Sequence, residues 1–236
     1  NERLRRGIYA DVSRTGKGGD IKVKTSEMKF MEGGSLQART FSFGDSGKVN
    51  VDASTIKFID SKPDNIVGSL GTRTSIGNGN SGDLTINTEV LSVDGGGAIS
   101  TVNFGANGNT GNILINASEL VELRAFPSNT TDVNITASIV SSMGNAGNIE
   151  INTPRLSLFG GAFIASSTLG TGNSGEITIN ASDNVLLSGS RFRIGRTEPS
   201  TINTRGTLLS PLFRQRFGVP DQVTGNAGSI IINTPL

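Results

Sequence analysis

The chain of 236 residues contains no histidine, no cysteine and no tryptophan, and it has a single tyrosine. Without histidine or cysteine, it can form no Ser-His-Asp triad, no cysteine nucleophile, no thiolate zinc site and no disulfide. No apolar run approaches the roughly 18 residues of a membrane span. The net charge is only +1, which gives no overall attraction to nucleic acid or to an anionic membrane. We therefore expect no cofactor, no metal site, no nucleic-acid partner and no membrane insertion.

Glycine, in contrast, is abundant, and its 32 residues mark an internal repeat. A unit of the form Gly-x-apolar-x-apolar occurs seven times, and each copy has another glycine three residues earlier. The units begin at Gly19, Gly47, Gly82, Gly111, Gly147, Gly175 and Gly228. Their alternation of aliphatic and mostly polar residues, with many β-branched side chains, predicts a half-buried β-strand in each copy.

Two more alternating segments follow each of the first six units. The second segments begin nine or ten residues after the glycine, at Met28, Ile56, Leu91, Val121, Leu156 and Val185. The third segments, each with a small residue two positions further on, begin at Leu36, Leu70, Ile99, Ile135, Ile164 and Ile202. Ile8 and Ala10 fit the third segment of an earlier repeat. The sequence thus predicts three short strands per repeat.

Stacking of such repeats buries apolar faces that one repeat cannot bury alone, because each strand pairs in parallel with its equivalent about 4.8 Å away. This predicts an all-β fold, a right-handed parallel β-helix (solenoid) of about seven coils. The glycine spacings of 28, 35, 29, 36, 28 and 53 residues predict alternating short and long coils. The long coils carry their extra residues in three loops, at Asp60–Val67, Phe126–Val133 and Ser190–Ser200, which we expect to project from one edge.

Residues 1–236 read as a single β-helix segment, and we expect it to belong to a longer protein because neither end offers a cap. We expect glycine at the corners because a tight turn needs positive φ. Asparagine follows the second aliphatic residue of five units, at Asn87, Asn116, Asn152, Asn180 and Asn233. Stacked asparagines favour an amide ladder along the axis. A plain surface turn is the alternative.

Residues 143–181, with the sequence MGNAGNIEINTPRLSLFGGAFIASSTLGTGNSGEITINA, resemble the filamentous-haemagglutinin-like exoproteins of two-partner secretion. The likeness is closest to the large Gly-Asn-rich versions frequent in cyanobacteria, and it covers nearly the whole chain. It implies export through an outer-membrane partner and a β-helical filament at the cell surface, used for adhesion. The chain lacks the Asn-Pro-containing signatures of the family's secretion domain. The resemblance therefore implies a stalk.

An Arg-rich stretch departs from the repeat at about residues 190–224, where the last long loop is followed by an insertion of about 14 residues. Residues 191–216 carry a net charge of +5 and the rest of the chain carries −4. The candidate patch for an anionic ligand or a partner protein consists of Arg191, Arg193, Arg196, Arg205, Arg214 and Arg216. We expect Arg214 and Arg216 in particular to bind an anionic ligand. The alternative is that the insertion packs over the core and its arginines are solvated or paired.

Catalysis by a β-helix of the polysaccharide lyase or glycosidase type would need paired carboxylates or a carboxylate-bound Ca²⁺. The best outward-facing acidic pair is Glu150 and Glu176, and no further acid extends it. We therefore expect no catalytic residue and a structural, extracellular role: a secreted or cell-surface segment that presents loops for adhesion. Its expected partners are surface polysaccharide or another cell-surface protein. A carbohydrate-active β-helix is the alternative function.

Overall fold

The structure is a computed structural model that describes residues 6–59, 68–126, 131–140, 143–193, 195–206 and 224–235. Within these ranges the protein is all-β, and no segment forms a helix long and apolar enough to cross a membrane. Arg214, Arg216 and nearly all of the predicted insertion lie outside the described residues, as does the first predicted loop, at 60–67.

Two parallel sheets of seven strands each form the molecule, which is consistent with a β-helix or solenoid. The first sheet contains, in spatial order, β1 (Gly7–Val12), β3 (Ser35–Thr40), β5 (Gly68–Gly77), β7 (Gly97–Ala106), β9 (Val133–Val140), β11 (Phe163–Thr168) and β15 (Thr201–Gly206). The second contains β2 (Ile21–Met31), β4 (Val49–Ile59), β6 (Leu84–Asp94), β8 (Ile113–Arg124), β10 (Ile149–Phe159), β12 (Ile177–Ser188) and β16 (Ile230–Asn233). A short antiparallel hairpin joins β13 (Ser190–Arg193) to β14 (Arg196–Pro199).

The strand register confirms the alignment of repeats that the sequence predicts. In the second sheet, Ile86 pairs with Ile115, Ile115 with Ile151, and Ile151 with Ile179, so that these residues form one axial file. In the first sheet, Ile8 pairs with Leu36 and Leu36 with Leu70, as expected for an earlier third segment. Successive rungs thus place equivalent aliphatic residues directly above one another.

The structure differs from the prediction of three short strands per coil. The first and second segments of each unit lie on one strand of 11 or 12 residues, because backbone pairing continues through the bend between them. β8 and β12 have one residue more between their two segments than β6 and β10 have. Register shifts between Thr153 and Arg155 and between Thr88 and Val90 accommodate this extra residue. These bulges absorb the difference between nine-residue and ten-residue spacings.

The inward-facing aliphatic residues of both sheets form one continuous core, with stacked Phe30 and Phe58 rings at one end, 4.3 Å apart between centroids. Residues in the middle of the files are completely buried. On the outermost strands that the structure describes, Ile8 is 54% exposed and Ile232 is 45% exposed. Burial of each aliphatic side chain stabilises the stack by about 1.5–3 kcal/mol before conformational entropy is counted.

Crowding between coils explains the corner glycines, and the prediction that they adopt positive φ is wrong for nearly all of them. Only Gly16 and Gly44, at the first two corners, have a positive φ. A Cβ atom on Gly111 would lie 2.1 Å from the carbonyl oxygen of Gly82, and one on Gly147 would lie equally close to the oxygen of Gly111. The corners therefore need glycine because the backbone of the coil below leaves no space for a side chain.

The predicted asparagine ladder is confirmed. Each Nδ2 donates to the Oδ1 atom one coil below, over 2.7–2.9 Å, along the series Asn233, Asn180, Asn152, Asn116 and Asn87. The last amide, of Asn87, donates to Asp52 Oδ1 over 2.7 Å. The ladder thus ends at an aspartate. Its carboxylate accepts the last amide N–H in a charge-assisted hydrogen bond, which is stronger than a bond to a neutral amide oxygen.

A second ladder at the corners was not predicted. It joins the side-chain oxygen of one coil to the backbone N–H of the next, over 2.8–2.9 Å, through Asp45, Asn80, Asn109, Asn145, Asn173 and Asn226. A shorter run of the same kind, over 2.8–3.0 Å, follows Asp83, Asn112, Asn148 and Glu176. These bonds satisfy backbone donors that the strand pairing does not use.

Candidate anion-binding site

The hairpin β13–β14 carries three of the candidate arginines beside the first sheet. It is formed by most of the third predicted loop, Ser190–Ser200, and it pairs Arg191 with Glu198 and Arg193 with Arg196. The hairpin precedes β15, and Arg205 lies on that strand. The local sequence therefore brings Arg191, Arg193, Arg196 and Arg205 to one place.

Arg191 anchors the hairpin to the rest of the molecule. Its side chain is only 2% exposed and its Nη1 donates to the carbonyl oxygen of Thr131 over 2.7 Å. Its Nε donates to Glu198 Oε2 over 3.0 Å, and its Nη2 contacts Asp132. Burial by itself lowers the pKa of Arg191, but the hydrogen bonds and charges of the two carboxylates outweigh it and raise the pKa above its usual value.

The contacts of Arg191 with Thr131 and Asp132 reach across a short coil. Asp132 precedes β9 and the hairpin precedes β15, and β11 lies between these two strands. The turn before β11 contains Gly161, with φ of 90°, where a Cβ would lie 2.8 Å from both Arg191 Cγ and the carbonyl oxygen of Glu198. The alternation of long and short coils thus lets two long loops meet above the short turn between them.

The other three candidate arginines that the structure describes are more accessible than Arg191. Arg193 Nη1 lies 2.5 Å from Asp132 Oδ1, and its side chain is 32% exposed. Arg196 Nη2 lies 3.2 Å from Glu198 Oε1, and its side chain is 77% exposed. Arg205 is exposed and has no ion-pair partner among the residues that the structure describes.

These side chains line one open pocket of about 490 Å³, together with Asp132, Glu198 and several polar residues of β14 and β15. Among the described residues of the pocket, four arginines face two carboxylates, which leaves two positive charges in excess. Glu198 stays ionised at neutral pH: burial raises its pKa, but the hydrogen bond and charge of Arg191, with Arg196 and Arg193, lower it below the usual value. Guanidinium groups with free N–H donors are suited to carboxylate, sulfate or phosphate groups.

The structure separates the predicted arginines by role. Arg191 is buried and paired, whereas Arg196 and Arg205 face the pocket with donors to spare. Asp132 was missed because it lies 59 residues from Arg191 in the sequence. The signal that could have found it was the loop alternation, which puts 126–133 and 190–200 on the same edge two coils apart.

The acidic pair considered for catalysis does not form a joint site. Glu150 pairs in register with Thr178, and its Oε1 accepts a hydrogen bond from Asn152 over 3.0 Å. Glu176 Oε1 instead accepts one from Thr178 Oγ1 over 3.2 Å. In the part of the chain that the structure describes, no three Asp or Glu side chains are grouped closely enough to hold a metal ion.

Comparisons with known proteins give no match: no family model, no curated protein and no solved structure is significantly similar to the chain.

Proposed function

We propose that this chain is a structural segment of a secreted or cell-surface filament that presents loops for adhesion or cell contact. In this proposal the two sheets belong to a right-handed parallel β-helix of about seven coils, in which short coils support the loops of long ones. The chain itself has no catalytic role. Export through an outer-membrane partner, as in filamentous-haemagglutinin-like exoproteins, completes the proposal.

One observation carries the structural role: equivalent residues stay in register through the whole stack, from Ile21 on β2 to Ile230 on β16. Side-chain ladders reinforce the same axis. A rigid rod is the function for which such an arrangement is best suited.

The arginine pocket supports the adhesive part of the proposal. It lies on a hairpin beside the regular sheets and has excess positive charge in an open concavity. Such a pocket suits an anionic group on a surface polysaccharide or on another cell-surface protein. Arg196 and Arg205 would contact the ligand, while Arg191 holds the hairpin in place.

A binding measurement tests this proposal. We expect the protein to bind immobilised polygalacturonate, and we expect the double variant Arg196→Ala/Arg205→Ala to lose at least tenfold in affinity. The matched control, Arg14→Ala/Lys22→Ala, removes the same charge from exposed positions away from the pocket and should lose less than twofold. Equal losses in both variants, or binding of no uronate polymer, would refute a specific pocket.

A further inference from the structure

A groove runs along the outside of the second sheet, where the two halves of each long strand meet at a bend. Its larger part, about 910 Å³, extends from Asn87 to Pro235 across five coils. Its smaller part, about 270 Å³, continues toward Lys24 and shares Asn87 and Thr88 with the larger part. Together the two parts follow the stack from β2 to β16.

The asparagine ladder forms the wall of this groove. Each interior amide uses one N–H to reach the coil below and one oxygen lone pair to accept from the coil above. A primary amide has two N–H donors and two lone pairs. Asn116 and Asn180 therefore each keep one donor and one acceptor for another molecule. The second N–H of Asn152 donates to Glu150 Oε1 over 3.0 Å, so this rung keeps only an acceptor. The groove therefore offers an acceptor at each of these rungs and a free donor at Asn116 and Asn180.

Among the residues that the structure describes, no charged side chain lines the larger part of the groove. Besides the asparagines, the lining consists of small or uncharged residues such as Ala117, Ser118, Pro154 and Ser182. An ion would gain nothing here, because it would lose hydration without an opposite charge. The chemistry favours an uncharged ligand rich in hydroxyl groups.

The distance between successive rungs of the ladder distinguishes between two kinds of extended polymer, a peptide strand and a polysaccharide. Neighbouring rungs are about 4.8 Å apart, whereas a peptide strand advances about 3.3 Å per residue, with side chains on one face repeating at about 6.7 Å. A peptide lying along the axis would therefore lose register with the amides within two or three rungs. One sugar unit of an extended glycan is similar in length to one rung. Successive units of an extended β-1,4-linked chain face opposite ways, so alternate units can present equivalent hydroxyls to every second asparagine.

We infer that this axial groove binds a neutral, extended polysaccharide chain, with one sugar unit per coil and its hydroxyls hydrogen-bonded to the ladder amides. The site is separate from the arginine pocket, which lies beside the first sheet, and it depends on neither the charge nor the hairpin of that pocket.

The test is titration calorimetry of the whole chain with neutral oligosaccharides: cellohexaose, laminarihexaose and chitohexaose. We expect at least one to bind, and we expect the affinity for that sugar type to rise at least tenfold from the disaccharide to the hexasaccharide. Asn116→Ala should lower the affinity at least fivefold. Asn50→Ala, an outward asparagine of the same sheet for which the structure gives no side-chain hydrogen bond, should leave it unchanged.

Ser118→Trp provides a second variant that does not disturb the ladder, since Ser118 is exposed at the rim. The chain has no other tryptophan, so its fluorescence should change on binding, while Ser13→Trp at an exposed position outside the groove should not respond. The inference is overturned if none of the three hexasaccharides binds. It is also overturned if Asn116→Ala leaves the affinity unchanged and the fluorescence of Ser118→Trp does not change when the sugar is added. Loss of binding in Arg196→Ala/Arg205→Ala would instead assign the sugar to the arginine pocket, and self-association abolished by Asn116→Ala would assign the groove to a second copy.

Discussion

Replacement of Gly111 by alanine separates two physical effects that act in opposite directions. The φ of Gly111 is not positive, so the backbone itself accepts alanine, and the loss of unfolded-state freedom alone would stabilise the protein by about 0.4–1 kcal/mol. Crowding acts against this gain. The new Cβ would lie 2.1 Å from the carbonyl oxygen of Gly82, whereas ordinary contacts begin at 3.4 Å.

The corner must therefore move by more than an ångström, which disturbs two hydrogen bonds of Gly111. Its N–H donates to Ser81 Oγ over 3.2 Å, and its carbonyl oxygen accepts from Thr101 Oγ1 over 2.7 Å. Two such bonds contribute roughly 1–3 kcal/mol, and forced packing of one extra carbon costs roughly another 1–3 kcal/mol. We expect Gly111→Ala to destabilise the protein by about 1–5 kcal/mol once the backbone gain is subtracted.

The first corner supplies the matched control. Gly19 occupies the same position of the repeat, but its added Cβ would meet only Ala10 Cβ, at 3.8 Å. Gly19→Ala should therefore be neutral or slightly stabilising. Urea unfolding followed by circular dichroism measures both variants. If Gly111→Ala were as stable as Gly19→Ala, the crowding argument would be refuted, and with it the explanation of every corner glycine in the upper coils.

Three other predictions concern the core, the ladder and the pocket. Ile151→Asp should abolish cooperative unfolding, because an unpaired carboxylate would enter a fully buried file; an unchanged thermal transition would contradict the core assignment. Asn180→Ala removes two ladder bonds and Asn233→Ala removes one, so the free energies of unfolding should fall by about 1–3 and about 0.5–1.5 kcal/mol; equal losses would argue against a ladder. Glu198, whose pKa is lowered mainly by Arg191, should stabilise the fold above pH about 4.3, and this contribution should disappear as the pH falls through the lowered pKa. The stability difference between wild type and Glu198→Gln, measured from pH 7 to 3, should therefore shrink toward acid; a difference that grows would refute the pairing.

Sequence periodicity was sufficient for the register, because alternation of side chains and repeat length fix which residues stack. It divided each long strand of the second sheet into two, because alternation does not show that backbone pairing continues between the two segments. It could not explain the corners. The need for glycine at 111 comes from the backbone of residue 82, and this close approach exists only once coils are stacked. The pocket shows the same limit: Arg191 was found as part of a charged stretch, but its partner Asp132 belongs to a loop two coils away.

The most direct test of the stacked architecture is a set of spin-label distances along one outward file of the second sheet. Because the chain has no cysteine, two introduced cysteines label specifically. Lys22 is three, four and five rungs from Leu114, Glu150 and Thr178 in the observed register. We predict distances that rise in equal steps, at about 14, 19 and 24 Å between backbone positions. Distances that do not rise by one constant step from Leu114 to Glu150 to Thr178 would contradict the parallel stacking on which the whole account depends.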